Sequence, residues 1–253
     1  MKTLYILGLL LLANVPLFAQ NNTLFERATE AYNAGEFNKA IEFYDTILSN
    51  GQHSAALYFN LGNAYYKLGE IGPSIYYYEK ALLLNPSDAE IKNNLSYANN
   101  MRLDAIEAMP KTAFARFYEA TIQQLSFDGW AYLAVAMIFL FVACYVSYYL
   151  INSSTYKRIT FITSLFAMGL CAASILFAYL QYEKYQANNP AIIFSREVTI
   201  TSEPNGDSER IFALHEGTKV NVEESFEDWR KIKIADGQTG WLPADAIRLL
   251  KDF

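Results

Sequence analysis

Histidine and cysteine are nearly missing: the 253 residues contain two of each. His53 and His215 stand in unrelated segments, with no metal-ligand spacing and no nucleophile constellation around them. They read as solvent-exposed turn residues, and no catalytic residue, metal or cofactor is expected. Cys144 and Cys171 both fall inside apolar runs, where thiols act as small apolar fillers, so the rest of the chain has no disulfide framework. Clustered basic charge is missing too. Residues 20–110 carry 6 basic and 11 acidic side chains, and residues 190–253 carry 8 and 12. Phosphate contacts need gathered Lys and Arg, so nucleic acid is excluded as a partner.

What the chain does have is long apolar runs. Lys2, the run Leu4 to Leu12 and the small Ala19 have the three parts of a secretory signal peptide over 1–19, although Leu17 stands where cleavage sites place a small residue. An uncleaved signal anchor is the alternative, and in both cases the residues that follow are exported. Residues 130–151 and 159–180 carry no charge. At ~1.5 Å per residue each reaches ~33 Å, enough for a hydrocarbon core of ~30 Å, so both are expected to be transmembrane helices. The loop 152–158 between them holds Lys157 and Arg158, which favour the cytoplasmic side of the inner membrane. The segments before and after the hairpin are then both periplasmic. No charge inside the helices marks an ion path, which argues against a transporter. Gly169 with Ala173, and Ala143 with Ser147, are small pairs suited to close helix packing.

A 34-residue period places Gly35 on Gly69, Ala40 on Ser74, Tyr44 on Tyr78 and Leu48 on Leu82. The stretch Ala55 to Asp88 has Tyr58, Leu61, Gly62, Tyr65, Ser74, Tyr78, Ala81 and Pro86 at the places of the tetratricopeptide repeat, which it resembles. Gly62 and Ser74 are small where two helices cross, and Pro86 stops the second helix. The repeat Asn21 to Ser54 is degenerate, with Arg27 for the usual leucine. A third helix with Ile91, Leu95 and Ala98 on one face is predicted from Ser87, capped by its hydroxyl with Glu90 as partner. Two and a half repeats over 20–102 are few, so packing against another part of the chain or a partner is expected.

If the helix pairs stack as in that family, Phe25, Thr29, Tyr32 and Asn33 line a groove with Phe59, Asn63, Tyr66 and Lys67, continued by Glu90, Asn93 and Tyr97. Asn63 is expected to donate to and accept from a peptide backbone, and the tyrosines offer amphipathic area. Tyrosine stripes at this spacing also serve as plain packing. The basic residues that would capture a terminal carboxylate are replaced by Phe25, Glu90 and Asn94, which argues against that mode.

Residues 103–129 contain Phe114, Phe117, Tyr118, Ile122 and Leu125 at helical spacing. This segment reads as an amphipathic juxtamembrane helix on the lipid bilayer surface, or equally as a further cap on the repeats. After a linker over 181–189 the period changes to two in 190–253. Val198 and Ile200, Val220 and Val222, Ile232 and Ile234 alternate with polar residues between turns, which predicts five short strands in a small barrel. "HEGTKV" and "DWRKIKIADGQTGWLPADAI" resemble bacterial SH3 domains. Some relatives bind cell-wall peptide stems, so Trp229 and Trp241 are candidate peptidoglycan contacts, with a structural role the favoured alternative.

The predicted fold class is a multidomain membrane protein: an all-α tetratricopeptide array, a two-helix transmembrane hairpin and an all-β SH3-like barrel. This arrangement resembles the BatE proteins of the Bacteroides aerotolerance operon. The resemblance implies a scaffold in the cell envelope that works beside membrane proteins with von Willebrand A domains and a MoxR-type ATPase. The alternative is a cell-wall sensor or anchor acting through the SH3-like part.

Overall fold

The computed structural model describes residues 20–252. The expected signal peptide at 1–19 lies outside the described residues. Among them the chain forms two compact units, one made of residues up to 108 together with those from 189 on, the other of residues 109–188.

The first unit opens with helix α1 (residues 20–33), followed by α2 (Phe37–Ser49), α3 (Ala55–Leu68), α4 (Ile71–Leu84) and α5 (Ala89–Asn99). Helix α3 crosses α4 at Gly62, where an added Cβ would lie 2.6 Å from Cδ1 of Tyr78. Ser74 closes the crossing by donating its hydroxyl to the Gly62 carbonyl at 2.9 Å. The space so opened is filled by fully buried Tyr44, Tyr58 and Tyr78, with Leu57, Leu61 and Ile75. Tyr65 stacks on Tyr77 with ring centres 5.4 Å apart. Asn85, forced out of the helical region ahead of Pro86, caps the end of α4. Helix α5 starts one residue later than the sequence suggests. Its cap is Asp88, whose carboxylate accepts from the backbone N–H groups of Glu90 and Ile91 at 2.9 and 3.2 Å, while the hydroxyl of Ser87 turns to Asn85. A carboxylate satisfies two orphan amides and the positive end of the helix at once, which a hydroxyl does not. The predicted stripe of Ile91, Leu95 and Ala98 is buried.

The rest of this unit is one antiparallel sheet. Its strands are β1 (Pro190–Ile193), β2 (Glu197–Thr201), β3 (Arg210–His215), β4 (Lys219–Phe226), β5 (Trp229–Lys233), β6 (Thr239–Pro243) and β7 (Ile247–Leu249). They lie in the order β3-β2-β6-β5-β4-β1-β7. The expected closed barrel of five strands is thus an open sheet of seven, with β3 and β7 at its edges. Strand β1, paired with β4 and β7, is buried on both faces. Ala191 and Ile193 join the core of the sheet, with Ile200, Ile232 and Leu242, whereas Ile192 and Leu250 join the core of the helical repeats. One face of β1 is therefore covered by α4. Burying an isoleucine or leucine contributes about 1.5–3 kcal/mol, so this contact supplies the cover that two and a half repeats lack.

Polar groups fix the register of that contact. Tyr76 on α4 sets its ring edge-on against Phe194, 5.3 Å between centres, and donates its hydroxyl to Asp252 at 2.8 Å. Lys80 lies over the rings of Tyr58 and Tyr76, 4.9 and 5.2 Å from their centres, and pairs with Asp252. Lys219 pairs with Glu79 at 2.6 Å. Gly217 adopts φ +82°, and a Cβ there would meet Cδ1 of Ile75 at 2.9 Å. Only glycine combines that backbone with that approach.

The second unit contains α6 (Ala113–Thr121), α7 (Phe127–Leu150) and α8 (Ser154–Ala187). Both long helices are apolar enough to cross a membrane, each containing an 18-residue stretch whose mean hydropathy is 2.2 in α7 and 2.1 in α8. They form an antiparallel hairpin, with Trp130 against Phe177 near one end and Tyr148 against Phe161 near the other. Helix α8 takes in Lys157 and Arg158, expected in a loop, and most of the expected linker, so that only residues 151–153 join the two helices. The helices meet along Ser164, Ala167, Cys171 and Ser174, all buried, with Ala134 buried on α7. Gly169, one of the small residues suited to close helix packing, is exposed and has no neighbouring atom within 4 Å of where a Cβ would be, because it lies on another face of the helix. Segment 103–129 is split: Ile106 packs on the sheet core, and α6 belongs to the hairpin.

Candidate functional site

The first helices of the repeats, α1, α3 and α5, bring six of the expected groove residues around one cavity of about 330 Å³. Tyr32, Asn63, Tyr66, Lys67, Glu90 and Tyr97 line it, together with Asn94, one of the positions where a carboxylate-capturing groove would carry a basic residue, and Tyr78, which was not expected there. Tyr78 belongs to α4 and reaches the cavity past Gly62, and a helix-pair template assigns such a residue to packing. Asn94 sits one turn after Glu90.

The floor of the cavity is ordered by hydrogen bonds. Tyr78 donates its hydroxyl to Oδ1 of Asn63 at 2.7 Å, and Nδ2 of Asn94 donates to the same oxygen at 2.9 Å. These two donors occupy the acceptor capacity of Asn63 and fix its amide. The expectation that Asn63 both donates and accepts is corrected: what it has left for a ligand is Nδ2, a donor, while Asn94 keeps its Oδ1 acceptor. Burial raises the pKa of Tyr78 and of Tyr32, so both remain protonated hydroxyls. Lys67 and Glu90 give the rim one charge of each sign.

The other expected groove residues lie elsewhere. Phe25 packs edge-on against Tyr44 at 5.6 Å, Thr29 donates to the Phe25 carbonyl at 2.9 Å, and Phe59 packs on Tyr78 at 5.9 Å. These three brace α1 and α3 against the second helices. Asn33 and Asn93 are exposed and do not wall the cavity.

Trp229 and Trp241 are half-buried on adjacent strands. Trp229 pairs with Pro243 and Lys231 with Trp241, which sets the two indoles diagonally on the face opposite the core residues Ile232 and Leu242. The ammonium of Lys231 lies 6.0 Å from the Trp241 ring centre and is held by Glu224 at 2.8 Å.

The histidines are not simple turn residues. His53 lies on the surface with Nδ1 2.6 Å from the hydroxyl of Tyr58. His215 is partly covered, and its Nδ1 is 2.7 Å from Oδ1 of Asp104. Thr218 donates its hydroxyl to that same carboxylate at 2.6 Å, so Asp104 ties His215 and Thr218 together. Among the described residues no three His, Cys, Asp or Glu side chains gather where they could hold a metal ion.

Residues 55–88 match the tetratricopeptide repeat family, and residues 198–248 match the bacterial SH3 domain. No curated protein matches the chain. The two matches fall on α3–α4 and on β2–β7, the two parts that pack into the first unit. The protein thus joins a tetratricopeptide helix pair to a bacterial SH3 domain, with two helices long and apolar enough to cross a membrane in the chain between them.

Proposed function

We propose that the protein is a non-catalytic scaffold of the cell envelope, anchored in the cytoplasmic membrane by α7 and α8, whose repeat cavity holds a segment of a periplasmic or membrane protein. The observation that carries this reading is the cavity itself, with its fixed donor at Asn63, acceptor at Asn94 and tyrosine walls on a matched tetratricopeptide pair. Two crossings return the chain to the side it left. That agrees with repeats and sheet packing as one unit although the hairpin separates them in sequence. The resemblance to BatE proteins supports a place in an aerotolerance or stress-related complex, beside proteins with von Willebrand A domains. Cross-linking in intact cells tests the reading by comparing the full chain with Asn63→Ala/Tyr66→Ala at equal membrane level. Loss of a defined partner from the variant is the expected result, and retention of every partner would refute it.

A second reading, a cell-wall anchor, is favoured by one observation, the outward diagonal of Trp229 and Trp241 on a matched bacterial SH3 domain. Its test is sedimentation of the detergent-solubilised full chain with purified sacculi. Binding that survives Trp229→Ala/Trp241→Ala would rule out these indoles as the contact.

A further inference from the structure

Helix α6 is tied to the hairpin by its inner face. Its N-cap is Thr112, whose hydroxyl accepts from the Ala115 N–H at 3.1 Å. Tyr118 and Ile122 are buried, and the Lys184 ammonium sits 4.4 Å from the centre of the Tyr118 ring. Where α6 runs into a 3-10 turn, the carbonyl of Ile122 accepts from Nε1 of Trp130 on α7 at 2.8 Å and from the Gln181 amide on α8. Both long helices therefore hold the same peptide oxygen.

This attachment leaves an apolar flank uncovered. Phe114 is 71% exposed, Phe117 56% and Leu125 40%. At 100° per residue Phe114 and Phe117 lie about 60° apart on α6, and Arg116 lies about 100° from Phe117 and about 160° from Phe114. Exposed phenylalanines in water lose the burial that makes such residues useful, and they lie here at a defined level of the hairpin. Around the attachment stands a collar of aromatic rings: Phe127 contacts Tyr182 and Tyr185, and Trp130 contacts Phe177. At the far end Tyr145, Tyr148 and Tyr149 form a second collar. From Trp130 to Tyr148 the rise is about 27 Å, close to the ~30 Å of a hydrocarbon core. Amphipathic rings concentrate at the two membrane–water interfaces.

We propose that α6 is a lipid-binding helix which inserts Phe114 and Phe117 at the headgroup–acyl boundary, level with the Trp130 collar, with Leu125 exposed just beyond its 3-10 turn. The proposal rests on the reading that α7 and α8 cross a bilayer. The charges nearby balance: Lys111 pairs with Glu119 at 2.7 Å, and Arg116 and Lys184 are matched by Asp128 and Glu183. Insertion is therefore apolar and does not require anionic headgroups.

The test uses the full chain with Cys144→Ala and Cys171→Ala, reconstituted in phosphatidylcholine vesicles, with one nitroxide label per variant. Labels replace Phe117, Arg116, Val135 on the exposed side of α7, and Ser225 on the sheet. Collision rates with oxygen and with a water-soluble nickel chelate are compared. The expected result is an oxygen-to-nickel ratio at 117 several-fold above those at 116 and 225, and below that at 135. A lipid-like value at 135 with a water-like value at 117 would overturn the proposal while leaving the membrane reading intact. A label at 117 shielded from both agents would also overturn it, since protein would then cover the flank. A water-like value at 135 would overturn the membrane reading and this proposal with it.

Discussion

The carboxylate of Asp104 lies 2.7 Å from Nδ1 of His215 and also accepts from the His215 backbone N–H, at 2.7 Å, and from the Thr218 hydroxyl, at 2.6 Å. One side chain from the segment after the repeats thereby fastens the turn between β3 and β4, 111 residues further along.

This contact makes stability depend on pH. Burial pulls the pKa of Asp104 upward, but its bonds from Thr218 and His215 outweigh that and leave it below 3.8. The hydrogen bond to Asp104, with the carboxylate charges of Asp104 and Glu197, holds His215 above 6.5. The raised histidine contributes stability that is complete below 6.5 and is lost as pH rises through its folded pKa. The lowered carboxylate contributes stability present above 3.8 and lost as pH falls through its folded pKa. Thermal melts of the detergent-solubilised chain should thus lose stability from about pH 6.5 upward, and His215→Gln should flatten that decline. An identical slope in the variant would refute the assignment.

Lys80 is 6% exposed and depends on Asp252 and two tyrosine rings, while Asp252 is 44% exposed. Asp252→Ala removes the Asp252 carboxylate from the ammonium and should cost about 1–2 kcal/mol, less than a fully buried pair because water screens one side. Lys80→Met added to Asp252→Ala should recover part of the loss, since the buried charge is then gone. Equal midpoints for Asp252→Ala and wild type in denaturant unfolding would show that the pair contributes nothing.

Gly62→Ala should destabilise the repeats by about 1–3 kcal/mol, because its Cβ meets the Tyr78 ring in a filled core. The gain in helix propensity, about 1 kcal/mol, offsets only part of this. Gly169→Ala is the contrasting substitution, with no atom within 4 Å, and should leave the melting temperature unchanged or raise it.

Glu227 adopts φ +45° in the two-residue turn between β4 and β5. A side chain pays about 1 kcal/mol or more for that conformation and glycine does not, so Glu227→Gly should raise the melting temperature. A fall would mean that the Glu227 side chain makes a compensating contact.

Several features were legible in the sequence because their causes are local. The 34-residue period, the small residues at Gly62 and Ser74 and the stop at Pro86 follow from how one helix pair crosses itself. The two long apolar runs follow from composition alone, and the expectation for six of the residues that line the cavity came from the resemblance to tetratricopeptide stacking. Other features depend on segments distant in sequence, where no periodicity points. Strand β1 reads as an unpatterned apolar run, because Ile192 faces the repeats while Ala191 and Ile193 face the sheet. Asn63 lost its acceptor to Tyr78 and Asn94, 15 and 31 residues away, and His215 found Asp104 across the whole hairpin. Local spacing determined which elements form; only tertiary packing decided which polar atoms remain available to a ligand, because hydrogen bonds are directional and each acceptor can be used up by a neighbour that the sequence does not reveal.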